Sequence, residues 1–232
     1  MKAFIPYLAF SVIIQLSAVS LSKAQTILSL TAPPQNISVD GSSKDWGDSL
    51  RYYNAEKHIN YSFANTKDTL YMAVRVIDRS EQTRILRAGI TFSINTKGKK
   101  KESYSITFPL ATNGNASLTG AQIGNGEDSK QDHEALMQAV LTVLRGIKAT
   151  GFKDIEDEMI TTSNTYGIKT AVDYDDKGYL VCEAAIPMQL FHANDALKNE
   201  WAFNIKINGL TKPAQSENHE GGGGRGGRGG GG

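Results

Sequence analysis

The chain has 232 residues, 40% of them hydrophobic and 21% charged, with 25 Lys and Arg against 24 Asp and Glu. That is enough apolar material for one good core, which excludes a wholly disordered chain, and a lone cysteine, Cys182, excludes a fold held by intramolecular disulfides. A formal charge of +1 gives no electrostatic case for a nucleic-acid or membrane-surface partner.

The opening MKAFIPYLAFSVIIQLSAVSLSKA places Lys2 before an apolar stretch from Ala3 to about Leu21 and ends in the small residues Ser22 and Ala24. This pattern predicts a signal peptide over 1–24 and a mature chain from Gln25. Ser11, Gln15 and Ser17 interrupt the apolar run and no basic cluster follows, which argues against an uncleaved anchor. No cysteine stands near the end of the leader to carry a lipid. The expectation is an exported protein, periplasmic or extracellular, with no transmembrane segment after cleavage.

From Asn36 onward apolar residues recur mainly with period two, the spacing of strands that bury one face. Ile59, Tyr61 and Phe63 alternate in HINYSFA. After the turn NTKD, Leu70, Met72, Val74 and Val76 alternate in TLYMAVRVID, so the two segments predict a hairpin. Ile90, Phe92 and Ile94 in GITFSIN, then Tyr104, Ile106 and Phe108 in SYSITF, predict a second one across NTKGKKKE. GIKTAVD and GYLVCEAAIP flank the turn DYDDKG, and Trp201, Phe203, Ile205 and Ile207 share a face in WAFNIKING. Seven or so strands with turn punctuation favour a two-sheet sandwich, in which the apolar stripes bury one another.

One stretch departs from this pattern. DHEALMQAVLTVLRGIK carries Leu136, Met137, Val140, Leu141, Leu144 and Ile147 at helical spacing, with Asp132 placed as a cap. It predicts an amphipathic helix within an insertion at about 111–165, and FKDIEDEMI reads as a further helical turn. The end of the chain, 213–232, is rich in Gly and Arg and has nothing to bury, so it is expected to be disordered. The folded domain is expected at 25–212.

Few residues suggest chemistry. His133 and Glu134 begin an HExxH pattern, but Met137 stands where the second histidine belongs. DYDDKG has Asp173, Asp175 and Gly178 in the register of a calcium loop. Lys177 occupies a ligand position and Ala184 replaces the bidentate acid, so a polar hairpin turn is the better reading. Asp154, Glu156, Asp157 and Glu158 read as solvated acids, and whether any metal binds stays open. No serine lies in a G-x-S-x-G elbow and no Gly-rich loop ends in Lys-Ser/Thr. Cys182 alternates in phase with Leu180, Ala184 and Ile186, which predicts a buried, inert thiol. Arg225 and Arg228 in the tail have the look of an RNA-binding RGG segment, but export argues against RNA as a partner, so no nucleic acid is expected. Asn36, Asn60 and Asn115 are N-glycosylation sequons, which matter only in a host that glycosylates secreted proteins. The chain is expected to be no enzyme and to use no cofactor.

Three segments together resemble a known family: VDGSSKDWG, the pair INYSFANTKDTLYMAVRVID, and EAAIPMQLF followed by WAFNIKING. They are similar to the family 9 carbohydrate-binding module and related DOMON-like sandwiches. Those modules open with Asp-Gly and a nearby Trp, carry a hairpin before an LY-x-A-V-x-V-x-D strand, and close with A-I-P and W-x-F-N. The likeness covers 39–109 and 178–208, and leaves out the insertion and the tail. It implies an all-β, two-sheet immunoglobulin-like β-sandwich with an inserted amphipathic helix, and a non-catalytic module that recognises a glycan or polysaccharide. Asp40, Gly41, Trp46, Leu70, Tyr71 and Ile186 fall on framework positions of that pattern. A sugar rim would be built from Trp46, Tyr52, Tyr53 and Trp201, with Arg75 or Arg87 as donor to hydroxyls. Haem-binding members of the wider group point to His58, Met72 and Met188 as a weaker option. The alternative function is a structural or assembly module of the cell envelope that docks a protein partner through Leu136, Met137 and Val140 of the inserted helix.

Overall fold

The computed structural model describes residues 30, 32–47, 50–112, 139, 141–193 and 200–209. Among these the chain forms ten strands: β1 (Tyr52–Asn54), β2 (Ile59–Asn65), β3 (Thr69–Val76), β4 (Ile90–Asn95), β5 (Tyr104–Leu110), β6 (Gly146–Thr150), β7 (Met159–Thr161), β8 (Lys169–Tyr174), β9 (Leu180–Pro187) and β10 (Ala202–Ile207). A ten-residue helix, α1 (Arg79–Ala88), and short 3-10 turns at Lys44–Trp46 and Met188–Phe191 accompany them, and residues 139 and 141–143 are also helical. The strands form two five-stranded antiparallel sheets. Sheet A runs β1-β2-β3-β9-β8 and sheet B runs β10-β4-β5-β6-β7.

Both expected hairpins form, with Phe63 opposite Met72 and Phe92 opposite Ile106. β8 and β9 form a third across DYDDKG. The alternating residues face the space between the sheets. Leu70, Met72, Val74 and Val76 of β3, Leu180, Cys182, Ala184 and Ile186 of β9, and Ile90, Phe92 and Ile94 of β4 are all essentially inaccessible to water. Stacking two such faces removes each stripe from water at once, at about 25 cal/mol per Å² of apolar surface.

The sequence reading missed or misplaced four elements. α1 follows β3 directly. Asp78 caps it by accepting from the Ser80 and Glu81 N–H groups, and Gln82, Ile85 and Leu86 face the core. Its stripe is only one turn wide, so period-two patterning on either side hid it. β1 is three residues long, too short to show a period.

β6 and β7 lie inside the expected 111–165 insertion but belong to sheet B. Ile147, expected on the helix, is a core residue of β6 opposite Ile160 of β7. β6 begins at Gly146, where a Cβ would stand 2.8 Å from the Leu110 carbonyl oxygen. Close strand approach explains that glycine. Residues 151–158 form turns, with no helical turn in FKDIEDEMI. The first part of the expected helix, including Leu136, Met137 and Val140, lies outside the described residues, as do the leader and the Gly/Arg tail, while residues 139 and 141–143 are helical as expected and the helix gives way to β6 after them. No helix among the described residues is long and apolar enough to cross a membrane.

Candidate functional site

Glu183 organises the outer face of sheet A. It lies on β9, a central strand, on the side away from the core, with Ala73 and Ala171 as its neighbours across the sheet. An acid at such a position ordinarily reaches water, yet Glu183 is 1% exposed. The segment before β1 folds across it. Oε2 accepts from the backbone N–H groups of Asp40 (3.1 Å) and Gly41 (2.8 Å), and Oε1 accepts from the Trp46 indole N–H (2.7 Å).

Burial pushes the Glu183 carboxyl above its ordinary range, against the pull of those three donors. Gly41 has φ +87°, and a Cβ there would lie 2.8 Å from Cβ and N of Asp173. The Asp-Gly and Trp of VDGSSKDWG thus serve as a clasp over a buried carboxylate.

The six sugar-rim candidates occupy four separate places. Trp46, Tyr53 and Arg75 belong to the outer side of sheet A, where the Trp46 indole N–H is engaged by Glu183 and Tyr53 is 55% exposed. Arg75 is tucked beside Asp175, with Nε 3.9 Å from Oδ2, and its guanidinium lies over the Tyr179 ring. Tyr52 is on the inner side of β1, its ring 5.3 Å from that of Tyr61. Arg87 rides on α1, with Nε enclosed and lacking a hydrogen-bond partner among the described residues. Trp201 precedes β10 and packs on Phe191 and Phe203, and its indole N–H is likewise enclosed without a partner among the described residues. These residues do not form one rim.

The remaining candidates resolve individually. Asp175 accepts from the N–H groups of Lys177 and Tyr179, and Gly178 has φ +74°, so DYDDKG is a self-satisfied hairpin turn. Asp154 pairs with His192, Glu158 pairs with Lys148, and Asp157 accepts from the Met159 N–H. Among the described residues, no three His, Cys, Asp or Glu side chains converge on a possible metal position.

Cys182 is fully buried, and burial, with the Glu183 charge beside it, raises its thiol well above the usual range. Its thiolate form is therefore suppressed. His58 adjoins the Ile59–Val76 pair at one end of β3, whereas Met188 follows the Thr69–Pro187 pair at the other, and Met72 is sealed in the core. The three haem-ligand candidates are not brought together. His133 and Glu134 lie outside the described residues.

A different site emerges where the two sheets part. β1 and β2 edge sheet A, β10 edges sheet B, and between them lies an open cleft of about 340 Å³. Phe63 of β2 stacks on Phe203 of β10, with ring centres 4.7 Å apart, and closes its floor. Tyr61, Ile205 and Ile207 continue the apolar wall, and Asn54, Lys57, Arg84, Asn204 and Lys206 supply polar groups. Arg84 reaches it from α1, held by Glu81 at 2.7 Å and donating to the Ile207 carbonyl at 3.3 Å. Of the six candidates, Tyr52 and Trp201 pack against rings of the cleft, Tyr52 on Tyr61 at 5.3 Å and Trp201 on Phe203 at 6.4 Å between ring centres. A second cleft, of about 300 Å³, opens between Phe108, Leu144 and Arg145 on one side and Thr170 and Val172 on the other.

Sequence reasoning missed the first cleft because every apolar wall residue on β2 and β10 reads as a core position. The fold and this cleft define the class as an all-β protein of two packed antiparallel sheets with an open, aromatic-floored edge. Comparison with protein-family models, curated proteins and solved structures yields no match.

Proposed function

We propose that the chain is an exported, non-catalytic carbohydrate-binding module, and that its sugar sits in the edge cleft between β2 and β10. The observation that carries this reading is the combination of an aromatic floor with a polar rim. Tyr61 and Phe203 are half-buried rings, suited to the apolar face of a pyranose, and Asn54 and Asn204 offer both donors and acceptors to hydroxyls. A volume of about 340 Å³ suits one or two sugar rings. The resemblance of VDGSSKDWG and EAAIPMQLF to family 9 modules supports the same class of ligand, with the platform moved from the tryptophans to the cleft.

Retention of the full chain on immobilised polysaccharides tests this reading. Binding to at least one glycan, weakened at least severalfold by the double substitution Asn54→Ala and Asn204→Ala, is expected. Failure to bind any glycan, or binding indifferent to both asparagines, overturns it.

A further inference from the structure

We infer that the second cleft, at the other pair of edge strands, binds a small amphipathic carboxylate, a monocarboxylic acid with an apolar tail. It opens where β7 edges sheet B and β8 edges sheet A, and it encloses about 300 Å³. Phe108, Leu144 and Val172 give it apolar walls. Phe108 is only 1% exposed, so no open aromatic face is offered to a sugar ring.

Arg145 stands at the mouth. Ile147 and Ile160 face each other on the inward sides of β6 and β7, and two residues further along Arg145 and Thr162 continue that row. The Thr162 N–H donates to the Arg145 carbonyl at 2.9 Å. Alternation therefore sets the Arg145 side chain on the cleft side of sheet B, and it lines the opening. Its Nε donates to Oγ1 of Thr162 and its Nη2 to Oγ of Ser163, each at 3.2 Å. Two neutral hydroxyls orient the guanidinium without matching its charge, and a guanidinium has five N–H groups to offer.

No acid pairs with Arg145 among the described residues, and the lining of the cleft contains neither Asp nor Glu. Asp173 of β8 alternates to the outer face of sheet A, where Gly41 closes on it. Asp154 and Glu158, towards the opposite end of the β6–β7 pair, are engaged by His192 and Lys148. A carboxylate matches what is left: it accepts paired N–H bonds from a guanidinium, and Thr170 presents a hydroxyl from across the cleft. Beside low-dielectric walls that attraction is stronger than in open water. The tail of the acid would lie along Phe108, Leu144 and Val172, and the small volume suits one short acid.

The experiment is a backbone amide chemical-shift titration of the full chain at neutral pH with octanoate, with octanamide as its uncharged counterpart, and with acetate as the head group alone. Saturable octanoate shifts centred on Arg145, Thr162 and Thr170–Val172 are expected. Octanamide should bind about tenfold more weakly, having lost the charge-assisted bonds. Acetate should bind at least tenfold more weakly, because each methylene buried favours binding about fourfold. Arg145→Gln is expected to bring octanoate and octanamide to equal affinity, with the thermal melt checked to show that the fold is retained. The octanoate-to-octanamide ratio of the natural chain decides the matter even if that variant does not fold. Absence of saturable octanoate shifts, or shifts centred elsewhere, overturns the inference. So does octanamide or acetate binding as tightly as octanoate, or a preference unchanged in folded Arg145→Gln. The sugar reading stands or falls separately, since its residues lie at the β1 and β10 edges.

Discussion

The Trp46 indole N–H donates to Oε1 of Glu183 at 2.7 Å, joining positions 137 residues apart. With the Asp40 and Gly41 N–H groups on the other oxygen, it ties the segment ahead of β1 to the middle of sheet A. Glutamine offers one acceptor oxygen where the carboxylate offers two, so Glu183→Gln must set an N–H₂ against at least one buried donor. A loss of about 1–3 kcal/mol in urea unfolding is expected, and Trp46→Phe should cost less once Glu183 has been changed. Additive effects in that double-mutant cycle would contradict the clasp.

The same carboxyl predicts a pH dependence. Its pKa is raised in the fold, chiefly by burial, so the folded chain holds the proton more tightly than the unfolded chain. Stability from this group is therefore fully present below the unfolded glutamate range and falls as pH climbs to the folded pKa. The stability difference between the natural chain and Glu183→Gln should shrink across that window and then level off. A difference that grows with pH would mean that the three donors outweigh burial.

Gly41 carries the clasp around its tightest point. Its φ of +87° disfavours any side chain, and the close approach of Asp173 leaves no room for one. Gly41→Ala should lower stability by more than about 1 kcal/mol, whereas Gly178→Ala, which has open space and a similar φ, should cost less. Equal costs at the two positions would show that crowding against Asp173 plays no part.

Cys182 lies between the sheets with its thiol pushed up by burial. Ellman's reagent should leave the native protein unmodified over the time in which it labels the urea-unfolded chain completely. Rapid labelling of the native state would contradict a closed core at β9.

Much of the fold was legible because a half-buried strand writes its inward face every second residue. Met72, Phe92 and Cys182 all lie where that alternation puts them. The pattern was silent where an element is too short to repeat, as at Tyr52–Asn54, and misleading where Leu144 and Ile147 fit a helical spacing across a helix-to-strand junction. It also gave no hint that Glu183 is buried, because its three donors come from residues 40, 41 and 46 and meet it only in the folded chain. The cleft was hidden for a related reason. Alternation marks Phe63 and Phe203 as inward-facing, but whether two sheets close or part at an edge depends on the neighbours of β1 and β10, which no local period records.

Backbone amide chemical-shift mapping of the full chain, titrated with a soluble glycan that it retains, tests the central claim most directly. The account predicts saturable shifts clustered at Tyr61, Phe63, Phe203, Asn204 and Lys206, on the two strands that border the cleft. Shifts centred instead on Trp46 and its neighbours, or on the Thr170–Val172 side of the sandwich, would contradict it.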